Sequence, residues 1–168
     1  SQANRPVIVG FGPAGMFAAL VLAKAGLRPI VLERGKCVEQ RQEDVTNFRK
    51  TGVLCTESNV QFGEGGAGTF SDGKLTTGIK DPRIRFVLQS FVECGAPEEI
   101  LYLAKPHIGT DKLVHVVREM RKTIQRYGGE ILFQAHMEKL VQKNGKLTAV
   151  QYQKDGKMTE ILTSYCIL

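Results

Sequence analysis

The chain has 168 residues, 42% of them hydrophobic, with 23 Lys+Arg against 17 Asp+Glu and a formal net charge of +6. That is enough for one domain that removes roughly 70% of its unfolded surface from water without help from disulfides or metals. The ordinary apolar and charged fractions exclude disorder and collagen-like repeats, and only the 18 glycines stand out.

In chain order, Val7-Ile8-Val9 is a β-branched run that stops at Gly10, and Pro13 to Gly26 is an Ala/Leu-rich helical segment. Leu27 to Leu32 reads as a second buried strand that finishes at Glu33, which completes a strand, turn, helix, strand unit. Residues 38 to 50 predict a polar helix with Val38, Val45 and Phe48 as its apolar positions, stopped by Gly52. Residues 51 to 80 resist regular assignment, and a connection of that length points to function rather than spacing. Helices are predicted over 83 to 94 and 110 to 127. The second carries the stripe Leu113, Val116, Val117, Met120, Ile124 and Tyr127, with Thr110 or Asp111 as N-cap. After Gly128-Gly129, Ile131-Leu132-Phe133 reads as a strand. Asn144-Gly145 and Asp155-Gly156 predict two tight hairpin turns, so the last forty residues are mostly sheet. Ser164 to Leu168 begins a further parallel strand.

The expected fold is therefore α/β and Rossmann-like: a parallel sheet, a long insert after the second strand at about 34–129, and a C-terminal antiparallel meander. No apolar stretch reaches the roughly 20 residues of a membrane span. Ser1 to Pro6 has no apolar leader core, and the four cysteines have neither CxxC nor zinc spacing, so a reducing cytoplasm is the expected location. The chain lacks an initiator Met and reads as an excerpt. Basic residues alternate with acids over Arg34 to Asp44, and Trp is absent, so no nucleic-acid partner is expected.

Gly10-Phe11-Gly12-Pro13-Ala14-Gly15 matches GxGxxG between a predicted strand and a predicted helix, where the pattern has a physical job. Gly10 permits the turn, Gly12 admits a pyrophosphate against bare backbone, and Gly15 permits close packing of the helix. Pro13 suits a first helical turn, and the helix N-terminus faces the phosphates with free N–H groups and positive potential. Glu33, 18 residues beyond Gly15, is placed to accept hydrogen bonds from the ribose hydroxyls of an adenosine. Gly63-Glu64-Gly65-Gly66-Ala67-Gly68 fits the same pattern but follows no long strand and opens no helix. Gly68 to Lys74 mimics a phosphate loop, yet Leu75 stands where a Mg²⁺-binding Ser or Thr is required.

Together the stretches Val7 to Gly15, Leu32-Glu33-Arg34-Gly35 and Ser58 to Leu75 resemble the FAD-binding part of the glutathione-reductase-type flavoproteins, in particular bacterial FAD-dependent dehydrogenases of uncharacterised role. The resemblance covers essentially the whole chain. It implies FAD as cofactor, with NADH or NADPH as a possible reductant, and places the second glycine loop along the flavin end. There Gly65, Gly66, Ser71, Asp72, Gly73 and Lys74 would contact the cofactor. It also implies that Met137 brings backbone groups to the adenine edge, its side chain being ordinary core. Arg34 and Arg41 are candidate phosphate partners, a solvated charge being the competing role for Arg41 on a helix.

No catalytic residue is assigned. The paired cysteines of disulfide reductases are missing, and His107, His115 and His136 read as structural or solvent-facing. By the resemblance, the chain is the N-terminal part of a longer flavin-dependent oxidoreductase whose substrate is read by the remainder of its own polypeptide. A nicotinamide-only dehydrogenase and a noncatalytic dinucleotide-binding module are the alternatives. A helix terminus contributes about 0.3 to 2 kcal/mol per charge, whereas micromolar binding needs roughly 8 kcal/mol. The isolated chain is thus expected to hold FAD weakly or not at all, and the full-length protein to purify yellow.

Overall fold

The computed structural model describes residues 4–71, 73–75, 80–103 and 107–168. Strand β1 (Val7–Val9) leads through a glycine turn into helix α1 (Pro13–Lys24) and strand β2 (Ile30–Glu33), followed by α2 (Val38–Thr51). Helices α3 (Arg83–Glu93) and α4 (Thr110–Arg126) precede β3 (Glu130–Phe133). The antiparallel strands β4 (His136–Lys143), β5 (Lys146–Lys154) and β6 (Lys157–Leu162) come next, and β7 (Cys166–Ile167) closes the order. The parallel sheet runs β3-β2-β1-β7, the order that open dinucleotide-binding sheets use around their switch point. The fold is thus α/β and Rossmann-like, with a separate three-stranded meander.

Alternation along the strands explains the layering. Ile8, Val31 and Ile131 sit side by side in register and face a core made with α1 and α4, including Ala19, Leu20, Val116, Met120 and Ile124. Val7, Leu32 and Leu132 face the other way, onto Val150 and Tyr152 of the meander. A central parallel strand covered on both faces needs an unbroken apolar run, and Ile30-Val31-Leu32 supplies it.

Most predicted elements are present within a residue or two, and the departures have local causes. Strand β2 starts at Ile30 rather than Leu27, because the Leu27 N–H bonds back to the Leu22 carbonyl and Arg28 takes a positive φ of 51°. Helix α4 is capped by Gly109 without a side-chain bond; the Thr110 hydroxyl donates instead to the Ser71 carbonyl at 2.6 Å. Tyr127 lies past the helix end and is half exposed, so it leaves the buried stripe. Both hairpin turns carry positive φ at their two central residues, Asn144-Gly145 and Asp155-Gly156, as the type I′ geometry demands. Among the described residues, no helix is long and apolar enough to cross a membrane, and no cluster of His, Cys, Asp and Glu is suited to a metal ion.

Candidate functional site

The first turn is built as its glycine spacing predicts. Gly12 is the N-cap of α1 in extended conformation and Pro13 is the first helical residue. The first helical bond runs from the Met16 N–H to the Gly12 carbonyl at 2.9 Å, so the N–H groups of Ala14 and Gly15 precede the helical ladder. Pro13 and Ala14 are exposed, and a Cβ placed on Gly12 would meet only the Gly66 Cα, at 4.0 Å. At Gly15 the reverse holds: a Cβ would lie 2.0 Å from the Gly10 carbonyl oxygen.

The two glycine motifs converge. The Gly65 N–H donates to the Phe11 carbonyl at 2.8 Å, and Gly66 abuts both Gly12 and Pro13. Gly66 starts a single 3₁₀ turn over Ala67–Phe70, so the second motif opens no α-helix and is no second dinucleotide fingerprint. Beyond it the loop is fastened to the start of α4. The Ile108 N–H donates to the Gly73 carbonyl at 2.9 Å, and Lys74 pairs with His107 in an antiparallel bridge. Ser71 turns its hydroxyl to the Gly68 carbonyl at 2.7 Å. Asp72 lies outside the described residues.

Glu33 is 6% exposed at the carboxyl end of β2. One oxygen accepts the Phe11 N–H at 2.6 Å and the other the Gly35 N–H at 2.7 Å, so the residue braces the first glycine turn as well as standing beside it. A carboxylate has about four acceptor sites, which leaves capacity for hydroxyl donors. Truncation to Ala would strand two buried N–H groups. Glu33→Ala is expected to cost about 2 kcal/mol of stability, measured as a lower urea midpoint at unchanged m-value.

Arg34 is half exposed, forms a two-bond pair with Glu57 at 2.9 and 3.0 Å, and lies over the Phe62 ring. Glu57 raises the guanidinium pKa through the hydrogen bond first and charge second. Arg41 departs from both roles expected of it. It is completely buried, and its five N–H donors go to backbone carbonyls: Nε and Nη2 to Asn59 at 3.2 and 3.0 Å, Nη2 also to Val60 at 3.0 Å, and Nη1 to Glu64 and, at 3.1 Å, to Gly66. The buried stripe of α2 is therefore Val38, Arg41 and Val45, with Phe48 left partly exposed. Burial pulls the Arg41 guanidinium down to about 10, against the holding effect of Glu33 and Glu64.

Met137 lies on β4, opposite Tyr152, and its side chain packs into the core between the two sheets. Two residues earlier the Ala135 N–H donates to the Glu33 carbonyl, which ties this strand entry to the end of β2. His107, His115 and His136 are exposed; His115 contacts Arg118 and His136 pairs with Glu138. Sequence reasoning missed Glu64, which is fully buried and ion-paired to Arg121 at 2.8 Å. Its signal, an acid between two glycines, is indistinguishable from a solvated loop charge. An apolar cavity of about 150 Å³ lies between α1, α3, α4 and the second loop, lined in part by Met16, Phe17, Phe91, Val117 and Met120.

No family model matches the chain. A Clostridium beijerinckii protein described as "Uncharacterized protein" is 58% identical over 146 residues, which are 87% of this chain and 27% of that one. The chain therefore spans about a quarter of the length of this relative. Among solved structures, Thermovibrio ammonificans THI4 superposes with a TM-score of 0.61 at 16% identity, over 98% of this chain and 56% of that one. The 3-ketosteroid-delta4-(5alpha)-dehydrogenase of Rhodococcus jostii RHA1 gives 0.58 at 15%, over 95% and 44%. The flavin-dependent monooxygenase PieE, solved in complex with FAD and substrate, gives 0.52 at 15%, over 97% and 29%. What these structures share with this chain is the fold.

Proposed function

We propose that this chain is the FAD-binding portion of a longer flavin-dependent oxidoreductase. The observation that carries the reading is the meeting of the two glycine segments: Gly12 and Pro13 against Gly66, with Gly65 bonded to Phe11. This contact sets the free N–H groups of Ala14 and Gly15, the Glu33 carboxylate and the second loop around one open turn. A molecule with a pyrophosphate, a ribose and a long extension suits that arrangement, and the fold shared with an FAD-containing monooxygenase supports it.

The residues present fit such a group. Space is open at Gly10 and Gly12, where an added Cβ would meet nothing closer than 4.0 Å. The Ala14 and Gly15 amides would bind the pyrophosphate, helped by the positive end of α1. Glu33 would hold ribose hydroxyls, Met137 would offer backbone groups at the adenine edge, and Arg34 would add positive charge nearby. Gly65, Gly66, Ser71, Gly73 and Lys74 would line the flavin side, and Arg41 serves the site by holding the loop. FAD, when bound, supplies two-electron transfer, with the protein contributing position and electrostatics. NADH or NADPH is the proposed reductant, and the substrate is read by the rest of the polypeptide.

The test is the visible spectrum of the whole gene product before and after NADH or NADPH. Flavin absorbance that bleaches on reduction is expected. Gly12→Val, in extended backbone where any residue fits, fills the cradle and is expected to weaken FAD binding about 100-fold, a loss of about 3 kcal/mol, with the melting temperature nearly unchanged. Absence of flavin absorbance after FAD is added would sink the reading. Cofactor binding without reduction by any donor would favour the noncatalytic module.

A further inference from the structure

Glu64 is a buried acid that the cofactor contacts above do not use, and three elements close around it. Its Oε2 accepts the Val38 N–H at the start of α2 at 2.7 Å and the Arg121 Nη1–H from α4 at 2.8 Å. Arg121 in turn reaches Glu39 on α2 at 2.6 and 3.1 Å and lies over the Phe133 ring. The other oxygen, Oε1, is fully buried and meets no hydrogen-bond partner among the described residues. The backbone of the same residue is held too: its N–H donates to the Lys36 carbonyl at 3.0 Å and its carbonyl accepts from Arg41. The next two residues, Gly65 and Gly66, make the contact with the first turn.

An ionised carboxylate with one oxygen buried and unpartnered among the described residues is costly in this place, because a buried charge needs its lone pairs satisfied. The neutral acid gives up less when Oε1 goes without a partner. The charged groups facing Glu64 are Glu39 and Arg41 from α2 and Arg121 from α4. Lys36 turns its ammonium to Asp44 at 2.9 Å. The two arginines favour the ionised form and Glu39 opposes it.

We propose that Glu64 is a proton-linked positioning residue: while its carboxyl keeps a proton it stays buried and holds Gly65–Gly66 against the first glycine turn, and on losing that proton it loosens this contact.

Burial, opposed by Arg121 and Val38, pushes the Glu64 carboxyl up from 4.5 to about 7, which sets the switch near neutrality. The sign follows from linkage. The folded chain holds this proton more tightly than the unfolded one, so the contribution of Glu64 to stability is complete below about 4.5 and is lost as pH rises through about 7. Resting on the functional reading above, a dianionic pyrophosphate at the adjacent turn would tighten the proton further. By reciprocity, dinucleotide affinity would then fall as pH rises from 6 to 8.

The experiment separates the two ideas. Carbon-13 NMR of the Glu64 carboxyl in the free protein is expected to give a midpoint near 7. Amide exchange at Gly65, whose N–H bonds Phe11 across the junction, is expected to lose about tenfold in protection between pH 6 and 8 beyond the intrinsic base-catalysed change. Glu64→Gln, which stays neutral, is expected to show no such loss, and the FAD affinity of the wild type is expected to fall about tenfold over the same interval while the variant stays flat. A midpoint near 4.5, or equal pH slopes in wild type and Glu64→Gln, overturns the proposal. If the variant does not fold, the wild-type titration still decides. FAD failing to bind the whole gene product at any pH would count against the functional reading, and Gly65 exchange would judge the latch regardless.

Discussion

Replacing Arg41 by methionine is expected to lower the free energy of unfolding by about 3–5 kcal/mol, the cost typical of breaking a buried charged constellation by removing one partner. The reason lies in what the guanidinium holds. Its five donors fasten the carbonyls of Asn59, Val60, Glu64 and Gly66 to the first turns of α2, and its Cζ lies 4.8 Å from the Phe70 ring centroid. Methionine fills the volume but gives those carbonyls nothing, and a loop of irregular backbone has no ladder of its own to absorb them. The buried Glu33 carboxylate also loses a nearby positive charge. For a chain of this size the melting temperature should drop by about 10 °C. Arg41→Lys should recover little, because an ammonium has three donors and no planar fork. The result separates two roles. A direct phosphate partner would lose cofactor affinity with stability intact, whereas a residue that builds the loop loses both together. Destabilisation below about 1 kcal/mol would show that the loop holds without it.

Local signals carry the parts of this molecule that local forces build. The β1 turn, the Pro13 start of α1 and the Asn144-Gly145 and Asp155-Gly156 hairpins depend on φ preferences of single residues, and those preferences are written in the residue types. The segment from Ser164 to Leu168 reads as a further parallel strand, but its place beside β1 comes from the tertiary fold. Arg41 was not legible, because nothing in a polar helix says which face an irregular loop of Asn59 to Gly66 will cover. The same holds for Glu64: its environment comes from Val38, Glu39 and Arg121, brought together from α2 and α4 only by the tertiary fold. The cap of α4 failed for a related reason. Thr110 has the right chemistry for an N-cap, but the Ser71 carbonyl on the second loop takes its hydroxyl, and Gly109, at a φ of 84°, makes the turn. In each of these cases the deciding partner sits far along the chain, and all three involve the loop that the functional reading places at the cofactor.

That loop can do its work only if the first turn keeps its shape, and Gly15→Ala is expected to remove that shape. The added methyl would sit 2.0 Å from the Gly10 carbonyl oxygen and 3.0 Å from its carbon, which are backbone atoms with no flexible end to move. Gly10 has little freedom to yield, since its N–H is bonded to the Leu32 carbonyl at 2.8 Å and its φ is 92°. The methyl would also reach the Ile8 side chain, at 3.5 Å. Relief therefore requires α1 to lift from β1, which disturbs the packing of Met16, Ala19 and Leu20 against the sheet. Overpacking of this kind costs about 3 kcal/mol, expected as a fall of roughly 9 °C in melting temperature. Ala is the better helix former by about 1 kcal/mol, so propensity alone predicts the opposite sign, and the measurement decides between steric and conformational control. Gly12→Ala is the matched comparison three residues away: its methyl would lie 4.0 Å from the Gly66 Cα, and stability should change by less than about 0.5 kcal/mol. If Gly15→Ala proved as stable as the wild type, the contact between helix and turn would have to be looser than the Gly10 carbonyl position allows, and the close approach assigned to the third glycine of the motif would fall with it.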